Sequence, residues 1–555
     1  MNFTNLSNLS SLSVQGNKSN IVAGTSRYIL LDRFLTDVAA GSVNGTSAEP
    51  TGGTRKVTDT GSKLSISSGL LTLAGGAGDG DPIMWYPIQT RKSGLLLLGD
   101  LTMSATNAFS YVLGFGTNDS SSWTEAGFGF TNASAIKPVA GNALRSSVGE
   151  YSATSYKLAI AIRSSGAHFL IKGGSFTNWT LLWSDTNGNS ANLYPVVDGG
   201  LAVFTEDNLR IPTSLWLPQP IAYDTFTRSN GALGSTESLG PDSQTLTPKV
   251  WTGSTWSIST NAAINTPTLG DDLVTNGGFD SDTTGWTATN ATLASVAGGQ
   301  SGNCLEVTNT AASKCYAYQA ITTTIGKWYK IYGYYKNGTA SSTLKAGTSA
   351  GGSQNYGKSL STATWSARYA EFLATATTTY ISCVCESTTA GDTSLFDGIS
   401  INEVSETSEV FSTIPSNTSN IIIDIVPGTY TETSGGIVLN LDSTTNPQNF
   451  VIAYVSTVGT ATAKMIKCVG GTYTSIISAT VTATGGATLR VIKDGTSYSL
   501  YYNNAQVGST STISDAGIVD NTTHGLLSTD SGNTLDNFTI FDRGTSGCYN
   551  GLDQF

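Results

Sequence analysis

Four blocks of this chain occur twice, in the same order, and the second set is interrupted. "LDRFLTDVAAGS" (31–42) returns as "YDTFTRSNGALGS" (223–235), and "GSKLSISSGLLTLAGG" (61–76) aligns without a gap to "GSTWSISTNAAINTPT" (253–268). "LLLLGDLTMS" followed by "FSYVLGFGTND" returns as "IIIDIVPGTYT" followed by "GGIVLNLDSTTN". "YKLAIAIRSSGAHFLI" (156–171) returns as "ATLRVIKDGTSYSLYY" (487–502), and each copy closes on a strand-like end, "GGLAVFTEDNLRI" (199–211) and "GNTLDNFTIFD" (532–542). Such a recurrence marks a duplicated unit. Between the second and third blocks the first copy runs from Gly76 to Leu95 and the second from Thr268 to Ile421. The second copy therefore holds roughly 130 additional residues, the size of a small domain. An exposed turn tolerates such an insertion when the ends of the insert lie close together.

The local pattern is that of strands. "YKLAIAIR" (156–163), "KWYKIYGYYKNG" (327–338) and "ATLRVIKDGTSYSLYYNNAQVG" (487–508) alternate or run β-branched and aromatic, then stop at Gly, Asn or Asp. No amphipathic helix stands out. Charged residues make up 12% of the chain, about half the usual share of roughly 25%, and Ser, Thr, Asn and Gly fill the difference. With 10 Trp, 23 Tyr and 18 Phe the chain is too aromatic for disorder. The fold class expected is all-β, with multiple antiparallel β-sandwich (jelly-roll) domains, one inserted into a loop of another.

The expected organisation is an N-terminal arm at 1–26 and a first sandwich at 27–215. A discontinuous second sandwich follows at 216–270 and 405–545, with an inserted jelly roll at 271–404 and a C-terminal tail at 546–555. The arm is low-complexity Asn, Ser, Leu and Thr, read as a segment that orders against a partner. The tail "RGTSGCYNGLDQF" is read as a second docking peptide with Phe555 as its apolar plug.

Net charge is −11 and no basic cluster exceeds "TRK", so nucleic acid is not an expected partner. No run of 18 apolar residues predicts a membrane span, and the N-terminus has no secretory pattern. The six cysteines (Cys304, Cys315, Cys383, Cys385, Cys468 and Cys548) show no framework spacing and read as free thiols.

The residues of the repeated units, "DTFTRSNGALG", "TWSIS", "ATLRVIKDGTSYSLYYN" and "LDNFTIFD", resemble concanavalin A-like (laminin G-like) jelly rolls. The first copy, with "TRKVTDTGSKLSISSGLLTLAGG" and "GDPIMWYPIQTRKSGLLLL", resembles sandwich domains of bacteriophage virion proteins. The insert, with "LVTNGGFDSDTTGWT", "YAYQAITTTIGKWYKIYGYYK" and "LFDGISINEV", resembles carbohydrate-binding modules attached to xylanases and glucanases.

Along "KWYKIYGYYK" Ile331, Gly333 and Tyr335 share one face and Tyr332 and Tyr334 the other. Tyr332 and Tyr334 are therefore candidate sugar platforms, with Trp286 as a third candidate that also reads as a core plug under the first turn. The resemblance further implies a structural Ca2+ where the first and last strands of the insert meet, with Asp280, Asp282 and Asp397 as candidate ligands. No catalytic residues are expected. The sandwiches lack a short carboxylate run, and Glu206 and Asp207 of "FTEDNLR" should point to opposite faces of a strand.

Together these readings predict a non-enzymatic structural protein of a tailed-phage virion, in a tail fibre, baseplate or head decoration. It would sit on the virion surface, associate with itself (a trimer is favoured) and with other virion proteins, and bind host-surface glycans. The inserted module would be held outward by the second sandwich. The alternative is an exported glycan-binding or glycan-degrading enzyme or accessory protein.

Overall fold

The duplication is written in the sheet orders. In the first unit one sheet runs Phe176–Ser184, Ala167–Gly173, Ser155–Ile162, Leu96–Met103, Phe204–Pro212, Tyr28–Asp32. In the second unit the corresponding sheet runs Ala505–Thr512, Ser497–Tyr502, Leu489–Asp494, Ile421–Pro427, Leu535–Asp542, with Ala222–Asp224 joining the last of these. We call this the terminal sheet, since it holds the first and last strands of each sandwich. The hairpin Leu64–Ser67/Leu70–Leu73 pairs with the closing strand of the first copy, as Trp256–Ser259/Ala262–Asn265 does in the second. A second, medial sheet faces each terminal sheet. It includes Ser110–Gly116 and Ala126–Thr131 in one copy and Gly435–Leu439 and Phe450–Ser456 in the other. This computed structural model describes residues 27–555 except 52, 58–60, 74–82, 87, 105–109, 118–124, 132–133, 142, 189–190, 198–203, 429–432 and 457–460. The expected arm at 1–26 lies outside the described residues.

The same turn chemistry opens both sandwiches. Asp32 accepts hydrogen bonds from the Phe34 N–H, the Arg55 guanidinium and the Trp85 indole N–H. Asp224 accepts from the Phe226 N–H, the Arg228 guanidinium and the Trp251 indole N–H. Both phenylalanines sit at φ +53°, a left-handed conformation that side-chain-bearing residues rarely adopt. Each aspartate is fully buried and gathers several donors onto its turn, which offsets that backbone cost.

The strands between Leu269 and Val404 form two sheets of their own. One runs Ala291–Ala297, Asn303–Asn309, Thr393–Val404, Trp328–Asn337, Ser366–Leu373; the other runs Thr287–Thr289, Cys315–Thr322, Thr378–Cys385, Ser342–Gly347, Tyr356–Leu360. Between them lie Phe279, Trp286, Tyr329, Ile331, Tyr335, Ile381 and Phe396. Ile331 and Tyr335 thus face the core, as the alternation predicts.

The module packs against the sandwich that carries it. Its Trp328, Val404 and Leu373 pack with Val438, Phe450, Ile452 and Tyr454 of the second sandwich's medial sheet, forming a further apolar cluster. Lys330 of the module and Asp530 of the sandwich form an ion pair at 2.6 Å, both nearly solvent-free. Glu371 accepts hydrogen bonds from the Ser434 N–H (2.5 Å) and the Thr529 hydroxyl. Trp328, Lys330 and Glu371 occupy the outward positions of their strands, where sequence alternation alone assigns solvent.

The tail also docks, though not by the plug expected. Residues 549–555 group with the first sandwich. Leu552 is fully buried, whereas Phe555 is half-buried and contributes its main-chain oxygen, which accepts from Tyr28 Oη (2.7 Å) and Arg210 Nε (2.9 Å). Asp553 receives Lys172 Nζ at 2.5 Å and the Trp179 indole N–H at 3.1 Å. Burial pushes the Asp553 carboxyl up, but these partners hold it below the usual carboxylate range. Among the described residues no helix is long and apolar enough to cross a membrane.

Candidate functional site

The module presents two aromatic faces, one on each sheet. Tyr332 and Tyr334 lie on the sheet nearer the second sandwich. Their rings meet edge-on at 5.3 Å, and Tyr332 meets Tyr369 at 6.2 Å. The Tyr369 hydroxyl donates to Asp530 and receives Lys330 Nζ at 2.9 Å, so this group ends at the seam with the sandwich. At its other end Lys336 Nζ sits 4.7 Å from the Trp365 ring centre. Burial and the Tyr334 hydroxyl raise the Tyr332 phenol to about 12. Tyr332 and Tyr334 are half-buried here, with one flank already occupied by protein.

The opposite sheet carries a strip that the sequence reading missed. Tyr316 and Tyr318 alternate along Cys315–Thr322 on the side away from the core, where Cys315 and Ala317 point inward. Tyr380 lies across from Ala320 on the neighbouring strand and shares that outer face. The rings follow one another at 6.1 Å (Tyr316 to Tyr318) and 5.9 Å (Tyr318 to Tyr380), and all three are half-buried.

Polar groups frame the strip. The Gly351 N–H donates to Ser382 Oγ at 3.0 Å, which lays the 348–355 loop beside Tyr316. At φ +73°, with the Tyr316 ring 2.8 Å from where a Cβ would stand, position 351 admits only glycine without displacement. Glu386, two positions beyond Val384, which faces Tyr316 across the strands, pairs with Lys314 and with Lys345 at 3.3 Å. Burial raises the Glu386 carboxyl, but the two ammonium groups and Thr343 bring it below its ordinary value. A row of rings tilted 54° and 55° to one another, ending in a carboxylate flanked by ammonium groups, suits a hydroxyl-rich ligand. The rings cover its C–H patches while the charged groups exchange hydrogen bonds with its hydroxyls. The signal in the sequence was "CYAYQAI", with tyrosines two apart; its partner Tyr380 needed the strand pairing.

Trp286 is not part of either face. It is 8% exposed, its indole N–H donates to the Asn276 carbonyl at 3.1 Å, and its ring packs on Phe279 at 5.3 Å. It is the core plug under the first turn, which removes it from the sugar-binding candidates.

The three aspartates divide. Asp280 and the nearly buried Asp397 both border the 298–303 turn. Asp397 Oδ2 accepts the Ser301 N–H at 3.0 Å, and the Asp280 carbonyl accepts Asn303 Nδ2 at 3.0 Å. At φ +64°, a Cβ at Gly302 would collide with Asp280 Oδ1. Asp282 instead caps its own turn, accepting the Thr284 N–H (2.9 Å) and Asn276 Nδ2 (3.1 Å), which hold its carboxyl below the usual range. Among the described residues no three or more His, Cys, Asp or Glu side chains form a group able to hold a metal ion. Asp280 and Asp397 thus share one turn, while Asp282 is engaged in its own.

In the first sandwich Glu206 and Asp207 do point apart. Glu206 is enclosed between the sheets, where burial first and the charge of Asp100 next push its carboxyl well above the usual range. Asp207 lines an outer groove of about 400 Å³ with Asp100, Lys157 and Lys172.

No known family profile matches the chain, and no curated protein matches it. Solved structures do resemble parts of it. The CBM22-1 xylan-binding domain of Paenibacillus barcinonensis Xyn10C is 24% identical, covering 25% of this chain and 98% of its own, with a TM-score of 0.20. A β-1,3-glucanase from Mycobacterium marinum is 13% identical over 33% of this chain and 98% of its own, TM-score 0.23. LamAcat from Zobellia galactanivorans is 11% identical over 34% and 98%, TM-score 0.24. These are likenesses of fold, and the chemistry must come from the residues themselves.

Proposed function

We propose that this protein is a glycan binder that does not cleave its ligand. Its inserted jelly roll makes the contact and the two duplicated sandwiches serve as scaffold. The observation that carries this reading is the strip Tyr316–Tyr318–Tyr380 with Glu386 and Lys345 at one end. Tyr332, Tyr334 and Tyr369 offer a shorter second platform at the seam.

Support for binding without cleavage comes from the carboxylates. Glycosidases place two across the bond, about 5–10 Å apart. Glu206, the carboxylate a hydrolytic reading would choose first, is sealed between sheets while Asp207 faces outward.

The setting we infer is the surface of a phage particle, as a closed homo-oligomer. That part rests on the resemblance of the first sandwich to virion domains. An exported accessory protein of a glycan-degrading system would use the same strip and is the competing setting. Affinity electrophoresis of the full chain through neutral, uronic-acid-containing and amino-sugar polysaccharides tests the binding. Retardation by at least one is expected, without release of reducing ends. Free migration in every gel overturns the reading, and reducing-end release overturns its non-catalytic part.

A further inference from the structure

Five of the six cysteines are buried, and two of them stand face to face. Cys315 opens its strand and Cys385 closes the neighbouring one, and they are direct partners in the antiparallel register. Both side chains enter the core between the sheets. The other buried cysteines have no such partner. Cys383 lies opposite Ala317 and Leu344, Cys304 opposite Val296, and Cys468 opposite Phe450 and Tyr473. Directly opposed residues of an antiparallel pair have Cα atoms about 4.5–5.5 Å apart. A disulfide accepts about 4.4–6.8 Å.

We propose that Cys315 and Cys385 form a cross-strand disulfide, a redox-reversible clasp at the end of the sheet that carries the tyrosine strip. The register sets the two side chains directly opposite each other inside the same core. Cys385, whose sulfur lies beside an exposed turn, is the attacking thiol of the proposal once deprotonated, and Cys315 the resolving one. Cys385 Sγ lies 3.8 Å from the Asp392 carbonyl, behind a turn whose residues 388–391 are exposed, so local opening of that turn gives a reagent access.

The oxidant is a low-molecular-weight disulfide such as oxidised glutathione. The Cys385 thiolate attacks one glutathione sulfur, forming a mixed disulfide and expelling one glutathione thiolate. The Cys315 thiol gives up its proton to that thiolate and attacks the Cys385 sulfur, forming the protein disulfide and expelling the second glutathione thiolate, which takes a proton from solvent. Two protein thiols are oxidised and one glutathione disulfide is reduced to two thiols. The bond ties residues seventy positions apart, so it removes freedom mainly from the unfolded chain. Tyr316 adjoins one sulfur and Glu386 the other, so the clasp underlies the polar end of the strip; its formation does not depend on what the strip binds.

The test equilibrates the full chain with oxidised and reduced glutathione at about pH 8, including a sample held just below its unfolding midpoint. Acid quench, alkylation and peptide mapping follow. The expected product is a Cys315–Cys385 linked peptide, lighter by two hydrogens, with the other four thiols alkylated. The melting midpoint of the oxidised chain should exceed that of the reduced chain by several degrees. C385A should abolish the linked peptide and C383A should keep it. Six alkylated thiols in the wild-type chain under oxidising conditions, or a linkage through Cys383 instead, overturns the proposal without requiring any variant to fold.

Discussion

Lys330 and Asp530 lie 200 residues apart in the chain and form an ion pair at 2.6 Å inside the protein, their side chains 7% and 5% exposed. One belongs to the inserted jelly roll and the other to the sandwich that carries it. The pair therefore fixes where the module sits. Replacing Lys330 by Met leaves Asp530 buried with the Tyr369 hydroxyl as its remaining cross-module partner. Breaking such a pair from one side costs about 3–5 kcal/mol. Calorimetry of K330M should show the unfolding transition that contains the module lowered by several degrees. The double variant K330M/D530N should recover part of the loss, and a single variant indistinguishable from wild type would show that the seam is not held this way.

Glu371 predicts a pH dependence at the same seam. Burial raises its carboxyl from 4.5 to about 7, against the opposing pull of its hydrogen bonds from Ser434 and Thr529 and the charge of Lys330. The folded state holds this proton where the unfolded state has lost it. Its stabilising contribution is complete below about pH 4.5 and is lost as pH rises through about 7, by about 3 kcal/mol. His524 acts oppositely. Burial lowers it from 6.5 to about 4, so its contribution is present above 6.5 and lost as pH falls toward 4. The two slopes oppose each other between them. Denaturant titrations of wild type and E371Q should diverge with that sign: stability of wild type minus variant declines from pH 4.5 to 7. A constant difference would contradict the assignment.

Asp32 and Asp224 predict parallel behaviour in the two copies. Each is the common acceptor for a phenylalanine N–H, an arginine and a tryptophan indole. D32A strands Arg55, which is 1% exposed, and should cost about 3–5 kcal/mol. D224A should cost less, because Arg228 is 30% exposed and can reach water. Equal, small losses in both variants would refute the shared role.

Much of the fold was legible in the sequence, and the reasons are local. "LDRF" and "YDTF" recur because the Asp–Phe turn requires them, and the strands recur because alternation and turn residues are read over a few positions. What escaped depends on contacts distant in sequence. Lys330 and Glu371 sit at positions where an exposed strand face carries charge, and nothing near them in the chain reveals Asp530 or Thr529. Tyr316 and Tyr318 were visible as a pair, but Tyr380 joins them only through strand pairing. Leu552, rather than the terminal Phe555, anchors the tail, since the short turn at Asn550–Gln554 aims it inward.

Calcium takes six to eight oxygens, and among the described residues no three acidic, histidine or cysteine side chains group together; the expected outcome is that chelation leaves the melting midpoint unchanged within about a degree, far below the several degrees that loss of a structural ion produces in a domain of this size. Calorimetry with and without EDTA reads this directly. A drop of several degrees, restored by calcium but not by magnesium, would return an ion to Asp280 and Asp397.

The central claim is that the Tyr316–Tyr318–Tyr380 strip holds a glycan. The most direct measurement is isothermal titration of the full chain with an oligosaccharide of whichever polysaccharide retards it. Wild type is compared with Y318A, Y380A and Y332A. Removal of one ring of the strip should weaken binding by about tenfold or more, equivalent to about 1.4 kcal/mol, for Y318A and Y380A. Y332A, at the seam, should change it by less than about threefold. Unchanged affinity in Y318A and Y380A, with the loss appearing in Y332A, would contradict the account and move the site to the opposite sheet.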